Sequence, residues 1–312
     1  MNDPIRTCIV VADDPAVSGL VEIVRDIGEV PLAIVAGRRT VAEAVALTGV
    51  REVLWCGEPD SGTPVEAYAP AVARLVSSAA PQVVVGAATV AGRALLGAVA
   101  AVTGSPVLSG VTSIELDSNR VVLGQECYGG ISTRILTVSG GPGVLAVGGG
   151  TISAPGSAGG TPAQITPVQA SPLATARVTE QRAVQHTAVD LRSSRTVVGI
   201  GRGLKQEADL SLIRELAAAL GGELACSRPL AEGVSWMAKE LYLGISGRQI
   251  SPDLYFAIGI SGQLQHMAGV RNAGVIVAVN NDRNASVFDG CDYGVVGDLY
   301  RIVPAVVAAL KV

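Results

Sequence analysis

The chain has 312 residues with a formal net charge of −4, and only 16% of them are charged. This length predicts two domains of about 150 residues each. The acidic balance argues against nucleic acid as a partner, because phosphate binding needs a basic surface. Hydrophobic residues make up 49% of the chain and 38 residues are glycine, which is typical of α/β proteins with buried parallel strands.

Five cysteines are scattered along the chain without any C-x-x-C spacing. Their odd number and wide spacing indicate a reducing compartment and argue against disulfides and against a zinc or iron–sulfur site. No run of about 18 uncharged apolar residues occurs, and the N-terminus lacks the pattern of a secretory signal. We therefore expect a cytoplasmic protein without a membrane span or a bound metal.

The first half alternates short apolar runs with longer segments, which predicts the βαβ rhythm of a parallel sheet. Apolar spacing over residues 65–79 indicates one helix, and strands are expected at residues 8–11, 32–35, 52–56 and 82–87. The runs at residues 120–124, 132–138 and 143–147 are separated by short turns and predict hairpins appended to that sheet. Residues 148–167 are rich in Gly, Ser and Pro, and we interpret them as an exposed loop or linker.

A new strand–turn–helix unit begins at residues 195–222. Further strands are expected at residues 223–227, 254–259, 275–280 and 293–298, and a last helix from about Leu299. The pattern predicts an α/β protein of two Rossmann-like domains, residues 1–188 and 189–312.

A glycine-rich turn, Gly-Ile-Gly-Arg-Gly-Leu-Lys, follows the first strand of the second unit. The G-x-G-x-x-G fingerprint would need glycine at Leu204, and a P-loop would need Gly-Lys-Ser/Thr. Two interpretations remain open. The turn is either an anion site in which Arg202 and Lys205 flank a helix N-terminus, or a tight packing turn with solvated basic residues.

The tetrapeptide Gly-Ile-Ser-Gly occurs twice in the second half, and a histidine follows the second copy. A hydrolase triad of Ser261, His266 and Asp298 would need a G-x-S-x-G elbow. Arg248 and Gln263 occupy the position of the last glycine in the two copies. We therefore discount hydrolysis.

The second copy is better interpreted as part of a ligand crevice at the carboxyl ends of parallel strands. Backbone N–H groups of Ser261-Gly262-Gln263 would meet phosphates at a helix start, with Gln265 and His266 on the next turn. Asn280 and Asp298 end the two following strands. Three of these residues also have an ordinary explanation: His266 as a surface helix residue, Asn280 as a turn residue and Asp298 as a helix N-cap.

The segment LYFAIGISGQLQHMAGVRNAGVIVAVNND, residues 254–282, resembles the signature of the electron transfer flavoprotein alpha subunit family, also called FixB. The blocks GRGLK, CSRPLAEG, GISG and DYGVVGDLYRIVPAVV resemble further family blocks in the same order. Together they cover nearly all of residues 196–312, whereas the first half is similar only in its general rhythm. The resemblance implies that the C-terminal domain binds FAD and that a beta subunit completes a heterodimer.

The resemblance also implies roles for individual residues. Arg202 is expected near the adenylate or pyrophosphate, and Arg228 beside the isoalloxazine ring, where a cation favours the reduced, negatively charged flavin. Ser246 is expected to bond the flavin N5, and His266 the carbonyl O2. The ordinary alternatives are a surface salt bridge for Arg228 and a turn hydroxyl for Ser246. The whole expected FAD site consists of Arg202, Arg228, Gly244, Ile245, Ser246, Gly247, Ser261, Gly262, Gln263, Leu264, Gln265, His266, Asn280, Asp298 and Leu299, with Asn280 and Asp298 at the adenosine and residues 261–266 around the pyrophosphate.

Two departures from the family pattern stand out. Ile245 replaces the glutamine of a common Gly-Gln-Thr-Gly, so a side-chain amide is missing. Met237-Ala238 replaces a frequent Leu-Pro, in a segment whose length is more similar to the FixB-like branch.

The resemblance implies an electron carrier without catalytic residues, because the flavin performs the redox chemistry. The expected donor is an acyl-CoA dehydrogenase-type flavoenzyme, and the expected acceptor is a quinone oxidoreductase or ferredoxin-type protein. The N-terminal domain would pack on the beta subunit. The alternatives are an NAD- or ATP-using enzyme with two Rossmann-like domains and a scaffold that has lost its flavin.

Overall fold

The computed structural model describes residues 5–12, 17–117, 120–128, 132–139, 141–148, 161–180, 191 and 193–311. The chain divides into two compact units, Met1–Ala183 and Val184–Val312. The expected domain boundary near residue 188 lies outside the described residues, and the domain bounds of the sequence analysis stay a prediction. No helix in the described ranges is long and apolar enough to cross a membrane.

The first unit is built on a seven-stranded, wholly parallel sheet. In chain order its elements, with three antiparallel strands, are β1 Thr7–Ala12, α1 Ser18–Arg25, β2 Leu32–Ala36, α2 Arg39–Ala46, β3 Glu52–Trp55, α3 Ala69–Ala79, β4 Val83–Ala87, α4 Val90–Thr103, β5 Val107–Ser109, β6 Val111–Asp117, β7 Arg120–Cys127, β8 Ser132–Thr137, β9 Gly143–Val147 and β10 Gln164–Pro167. The strand order is β10-β3-β2-β1-β4-β9-β5.

Both faces of this sheet are covered, which is why its central strands are continuous apolar runs. Helices α1 and α2 pack on one face, together with residues of the antiparallel sheet β6-β7-β8. Helices α3 and α4 cover the other face. Thr89 is the N-cap of α4, and its hydroxyl accepts a hydrogen bond from the Gly92 N–H at 3.0 Å. The C-cap of the helix is Gly104, in the left-handed region.

The four strands expected early in the chain are confirmed, but two later expectations are wrong. Residues 143–147 form no hairpin: β9 is a fully buried parallel strand between β4 and β5. Residues 164–167 belong to no loop, because β10 pairs in parallel with β3 at the sheet edge. Its sequence Gln-Ile-Thr-Pro carries little apolar signal, as an edge strand allows. Most of the remaining expected loop, residues 149–160, lies outside the described residues.

The expected hairpins are confirmed for β7 and β8, which pair antiparallel. They are not appended to the parallel sheet, however. With β6 they form a separate three-stranded sheet, and Val121 and Leu123 of β7 are buried in the core beneath it.

The second unit contains a six-stranded parallel sheet. Its elements are β11 Thr196–Ile200, α5 Leu210–Ala219, β12 Glu223–Ser227, β13 Tyr242–Leu243, β14 Leu254–Ile258, α6 Leu264–Met267, β15 Val275–Asn280, β16 Tyr293–Val296 and α7 Leu299–Leu310. The order β13-β12-β11-β14-β15-β16 places the strands as 3-2-1-4-5-6, the order of doubly wound nucleotide-binding sheets. The five expected strands are confirmed, and β13, with two residues, is too short for periodicity to reveal.

Helices α5 and α7 pack on the face that carries Val198, Ile200 and Ile258. The opposite face, with Tyr255 and Ala257, is covered by the segment around α6 and by a 3₁₀ turn at Ser286–Gly290. Because β11 and β14 are neighbours whose crossovers run to opposite sides, the strand order reverses between them. In doubly wound sheets ligands bind at the carboxyl ends of the strands at this point.

Candidate functional site

A cavity of about 840 Å³ opens at the carboxyl ends of β11 and β14, where the strand order reverses. Its volume is within the usual range of small-molecule sites, about 300–1,000 Å³. The walls come from the turns that follow β11, β12, β13 and β14, from the end of β15 and from the start of α7. The fold therefore gathers six sequence-distant segments around one space.

Thirteen of the fifteen residues expected at the site line this cavity. They are Arg202, Arg228, Gly244, Ile245, Ser246, Ser261, Gln263, Leu264, Gln265, His266, Asn280, Asp298 and Leu299. The other two, Gly247 and Gly262, lie outside its lining and shape the turns. A Cβ on Gly262 would lie 2.0 Å from the Val287 backbone nitrogen, and one on Gly247 would lie 2.4 Å from the Tyr242 ring.

The glycine-rich turn after β11 is both a packing turn and part of the cavity. The Gly203 N–H donates to the Gly259 carbonyl at 3.0 Å, and a Cβ on Gly201 would lie 2.3 Å from the same oxygen. Leu204, at the position of the missing fingerprint glycine, is buried in the core. Arg202 and Lys205 line the cavity. The interpretation as a packing turn therefore describes the glycines and Leu204, and the interpretation as an anion site describes the two basic residues.

The two cations of the expected site differ in their surroundings. Arg228 precedes a π-helical turn, Pro229–Gly233, which places Glu232 within hydrogen-bonding distance of its guanidinium. That hydrogen bond and the charge of Glu232 raise the pKa of Arg228. Arg202 forms no ion pair or hydrogen bond with the residues that the structure describes. Arg202 can therefore offer an uncompensated positive charge to an anionic ligand. Arg228 shares its charge with Glu232 and offers a ligand only the guanidinium N–H groups that Glu232 does not engage.

The two copies of Gly-Ile-Ser-Gly meet in the fold. The Ile245 N–H in the first copy donates to the Gln265 carbonyl at 2.8 Å. Gln265 lies in α6, which directly follows the second copy, so this hydrogen bond links the two copies. The Tyr242 hydroxyl donates to the Ser246 carbonyl at 2.6 Å. Ile245, at the glutamine position of the family pattern, is half exposed at the cavity.

His266 is buried, so the alternative of a surface helix residue is wrong. Its Nε2 lies 2.8 Å from the hydroxyl of Tyr255, and its buried Nδ1 has no hydrogen-bond partner among the described residues. Burial lowers the pKa of His266 to about 4, and the Leu243 carbonyl acts in the opposite direction. The imidazole is paired with Tyr255 and not with Ser261, which agrees with the rejection of a hydrolase triad.

Asn280 and Asp298 combine their ordinary roles with a place in the cavity wall. The Asn280 amide donates to the Ile260 carbonyl at 2.8 Å and accepts from the Asp282 N–H at 2.9 Å, so it supports the turn after β14. Asp298 is the N-cap of α7 and accepts a hydrogen bond from the Tyr300 N–H at 3.0 Å.

Sequence reasoning missed a polar cluster beside Arg202. The Tyr300 hydroxyl donates to Asp209 and accepts from the Lys205 N–H at 2.8 Å. The Lys205 ammonium lies 4.9 Å from the centre of the Tyr300 ring. Lys205 and Tyr300 both line the cavity. The sequence signal that could have revealed Tyr300 was its position, two residues after Asp298 in the first turn of α7.

A 3-2-1-4-5-6 parallel sheet with a cavity at its reversal point is the arrangement of dinucleotide-binding α/β domains. Residues 190–271 match the model of the electron transfer flavoprotein FAD-binding domain, and residues 14–173 match that of the electron transfer flavoprotein domain.

Two curated relatives carry the comparison further. YdiR of Escherichia coli K12, whose name assigns it to the electron transfer flavoprotein subunits, is 35% identical over 273 residues, 86% of this chain and 87% of YdiR. FixB of Salmonella typhimurium LT2 is 38% identical over 205 residues, 65% of this chain and 66% of that protein. The chain belongs to the electron transfer flavoprotein alpha subunit family.

Membership confirms the expected family, two-domain α/β fold and FAD cofactor, and it disfavours the NAD- or ATP-enzyme alternative. Members are electron carriers that pair with a beta subunit. The cavity fits FAD on three observations: its volume, the two cations that a pyrophosphate or a reduced ring would need, and the unpartnered Nδ1 of His266, which suits a hydrogen-bonding ring substituent.

Proposed function

We propose that this alpha subunit holds FAD in the cavity between β11 and β14 and passes electrons from an acyl-CoA dehydrogenase-type flavoenzyme to a quinone oxidoreductase or ferredoxin-type acceptor. The observation that carries the proposal is the convergence of Arg202, Arg228 and the unpartnered His266 Nδ1 on one cavity at the reversal point of the sheet. Bound FAD supplies the redox chemistry, so no side chain acts as nucleophile or general acid.

Different cations serve the pyrophosphate and the ring of the cofactor. Arg202 and Lys205, after β11, provide positive charge for the pyrophosphate. Arg228, after β12, lies beside the isoalloxazine ring and favours its reduced, negatively charged form. Its hydrogen bond to Glu232 holds the guanidinium in place.

The turn residues orient the two ends of the cofactor. Ser246 directs its hydroxyl to the flavin N5, and its backbone is held by the Tyr242 hydroxyl. Asp298 and Asn280 hold the adenosine end, where Asp298 has one carboxylate oxygen engaged by the helix cap. Residues 261–266 follow the pyrophosphate towards the ring.

The first unit packs on the beta subunit in this proposal. Leu116 of β6 and Ile135 of β8 are exposed apolar residues on its antiparallel sheet, and such residues become buried in obligate heterodimers. The cytoplasm is the proposed location, because all five cysteines are free thiols that a reducing compartment would preserve.

The deciding experiment is co-expression with the candidate beta subunit, followed by an absorbance spectrum and a count of FAD per heterodimer. One FAD that is lost when the cavity is altered supports the proposal. Two FAD would indicate a second flavin site outside this cavity. A heterodimer that takes up no FAD, even when FAD is supplied, would contradict it.

The role of Arg228 has a separate test. Arg228→Ala should lower the reduction potential of the bound flavin, because a cation that favours the reduced ring is removed. Arg228→Lys retains the charge and should keep most of the potential. If the reductive titration of the alanine variant matches that of the wild type, Arg228 does not lie beside the ring.

A further inference from the structure

Beneath the cavity, the sheet leaves space for one large polar side chain. Four small residues stand side by side across the sheet, Ala225, Gly199, Ala257 and Ala278. Tyr255 is fully buried on the same face. A Cβ on Gly199 would lie 2.0 Å from the Tyr255 hydroxyl oxygen. The hydroxyl therefore occupies space that only glycine at position 199 allows.

That hydroxyl reaches a single side chain. Within the described ranges, its one hydrogen-bond partner is the Nε2 of His266, at 2.8 Å. Burial raises the pKa of Tyr255 well above its usual range, so the group stays an O–H. Burial also lowers the pKa of His266 to about 4, so its ring carries one proton at neutral pH.

The position of that proton follows from counting partners. If it were on Nε2, Tyr255 would accept the bond, its own O–H would be buried without an acceptor, and the Nδ1 lone pair would also be unpaired. If it is on Nδ1, the Tyr255 O–H donates to Nε2, and only the Nδ1–H is left without a hydrogen bond. The Leu243 carbonyl raises the pKa of the ring, but Nδ1 makes no hydrogen bond of normal geometry with it. Buried polar groups are nearly always paired, so the second arrangement is favoured.

We propose that Tyr255 is a positioning residue that fixes the tautomer of His266, so that its Nδ1–H is held ready to donate to a carbonyl oxygen of the bound flavin ring. The proposal rests on the function proposed above, in which FAD occupies the cavity that His266 lines. Tyr255 itself does not line the cavity and acts through His266. A ring so held offers a donor in every unloaded molecule and does not need to change tautomer when the cofactor binds.

The first test needs no variant. The chain has only two histidines, so ¹⁵N-labelled histidine in this subunit, paired with an unlabelled beta subunit, gives few ring signals. In the heterodimer stripped of FAD, we expect His266 to show a protonated Nδ1 and an unprotonated, hydrogen-bonded Nε2. Assignment uses loss of the signals in His266→Ala. A proton found on Nε2 overturns the proposal.

The second test is a double-mutant cycle with FAD dissociation constants. Tyr255→Phe keeps the ring and removes the hydroxyl, and it should raise the dissociation constant about 3- to 10-fold, the size of one neutral hydrogen bond. In the His266→Ala background the same change should have no further effect. Tyr68→Phe, which alters a buried tyrosine of the first unit, is the matched control and should leave FAD binding unchanged.

The outcomes separate the two proposals. If His266→Ala leaves FAD affinity unchanged, the placement of His266 at the flavin is wrong, which contradicts the proposed site. If His266→Ala weakens binding while Tyr255→Phe changes neither affinity nor the ring nitrogens, the role of Tyr255 is overturned and the site stands. Additive effects in the cycle would show that Tyr255 contributes through packing and would likewise overturn it.

Discussion

Each parallel sheet contains a glycine in the middle of a central strand, and the two glycines leave space for different things. A Cβ on Gly86 in β4 would lie 2.9 Å from the Val10 carbonyl and 3.2 Å from the methyls of Leu96. In the second unit, Gly199 in β11 leaves space for the hydroxyl of Tyr255. One glycine lets a helix pack closely on the sheet, and the other lets a buried polar group reach a histidine at the cavity.

The loops at the strand ends repeat this difference. In the first unit, the Trp55 indole N–H donates to the Gly37 carbonyl at 3.0 Å. Arg39 lies over the Trp55 ring and pairs with Glu43. In the second unit, Arg202 has no partner among the described residues. At these strand ends the loop residues bind one another in the first unit, whereas in the second unit a cation stays available to a ligand. The site therefore depends on its loop residues as well as on the strand order.

The largest expected effect comes from adding one methyl group to each mid-strand glycine. Gly199→Ala should lower the free energy of unfolding by about 3 kcal/mol, since overpacking of a tight core costs about 1–3 kcal/mol and occasionally more. It should also displace the Tyr255 hydroxyl and weaken FAD binding. Urea unfolding of the heterodimer and its FAD content measure the two effects.

Gly86→Ala is the matched variant in the first unit. It should also destabilise, because its nearest neighbour is a backbone oxygen, but the folded heterodimer should bind FAD with unchanged affinity. Equal loss of FAD affinity in both variants would contradict the division of roles between the two glycines.

The second prediction concerns pH and only the second unit, because the first unit contains no histidine. The pKa of His266 is near 4 in the folded chain, below its usual 6.5, so the unfolded chain binds the proton more strongly. The stability due to the neutral ring is complete above about pH 6.5 and is lost as the pH falls towards 4, a change of about 3 kcal/mol.

The comparison that isolates this change is wild type against His266→Gln, both without FAD, in urea unfolding across that pH range. The glutamine variant lacks a titrating ring, so its stability should fall less steeply on acidification. Parallel slopes for the two proteins would mean that His266 is not held neutral by burial.

A third prediction contrasts two arginines. Arg202→Ala should raise the FAD dissociation constant roughly 10- to 100-fold, because a hydrogen bond to a charged group contributes about 1.5–3 kcal/mol. Arg39→Ala removes a cation that lies over Trp55 and forms an exposed ion pair, and it should leave FAD affinity unchanged. Isothermal titration with FAD measures both. An unchanged affinity in Arg202→Ala would remove this residue from the site.

Much of the fold could be predicted because parallel strands covered on both faces read as apolar runs. β1, β4, β11 and β14 all follow that rule. The predictions were wrong where the order of the strands in the sheet differs from their order in the chain. β9 is as apolar as any of them, but short turns before it suggested a hairpin, and nothing local reveals that it inserts between two earlier strands.

The site was predictable to the extent that it lies at strand ends. Asn280 and Asp298 stand at such ends, and topology then brought them to one cavity. Tyr255 could not be found in this way, because a tyrosine inside an apolar strand reads as core. Its role depends on the missing Cβ of Gly199 in a neighbouring strand and on the unpartnered nitrogen of His266, and neither is visible without the register of β11 and β14.

The smallest expected effect compares two helix caps. Thr89 caps α4 in the first unit and Asp298 caps α7 in the second, each with a side-chain oxygen 3.0 Å from a backbone N–H. Loss of either cap should cost about 1 kcal/mol, so Thr89→Ala and Asp298→Ala should lower the free energy of unfolding by similar amounts. Only Asp298→Ala should also weaken FAD binding, because Asp298 lines the cavity and Thr89 does not. Asp298→Ser retains an N-cap and should restore most of the stability while FAD affinity stays reduced. If Asp298→Ala loses stability alone, Asp298 is a helix cap and nothing more, and the adenosine end of the cofactor is held by other residues.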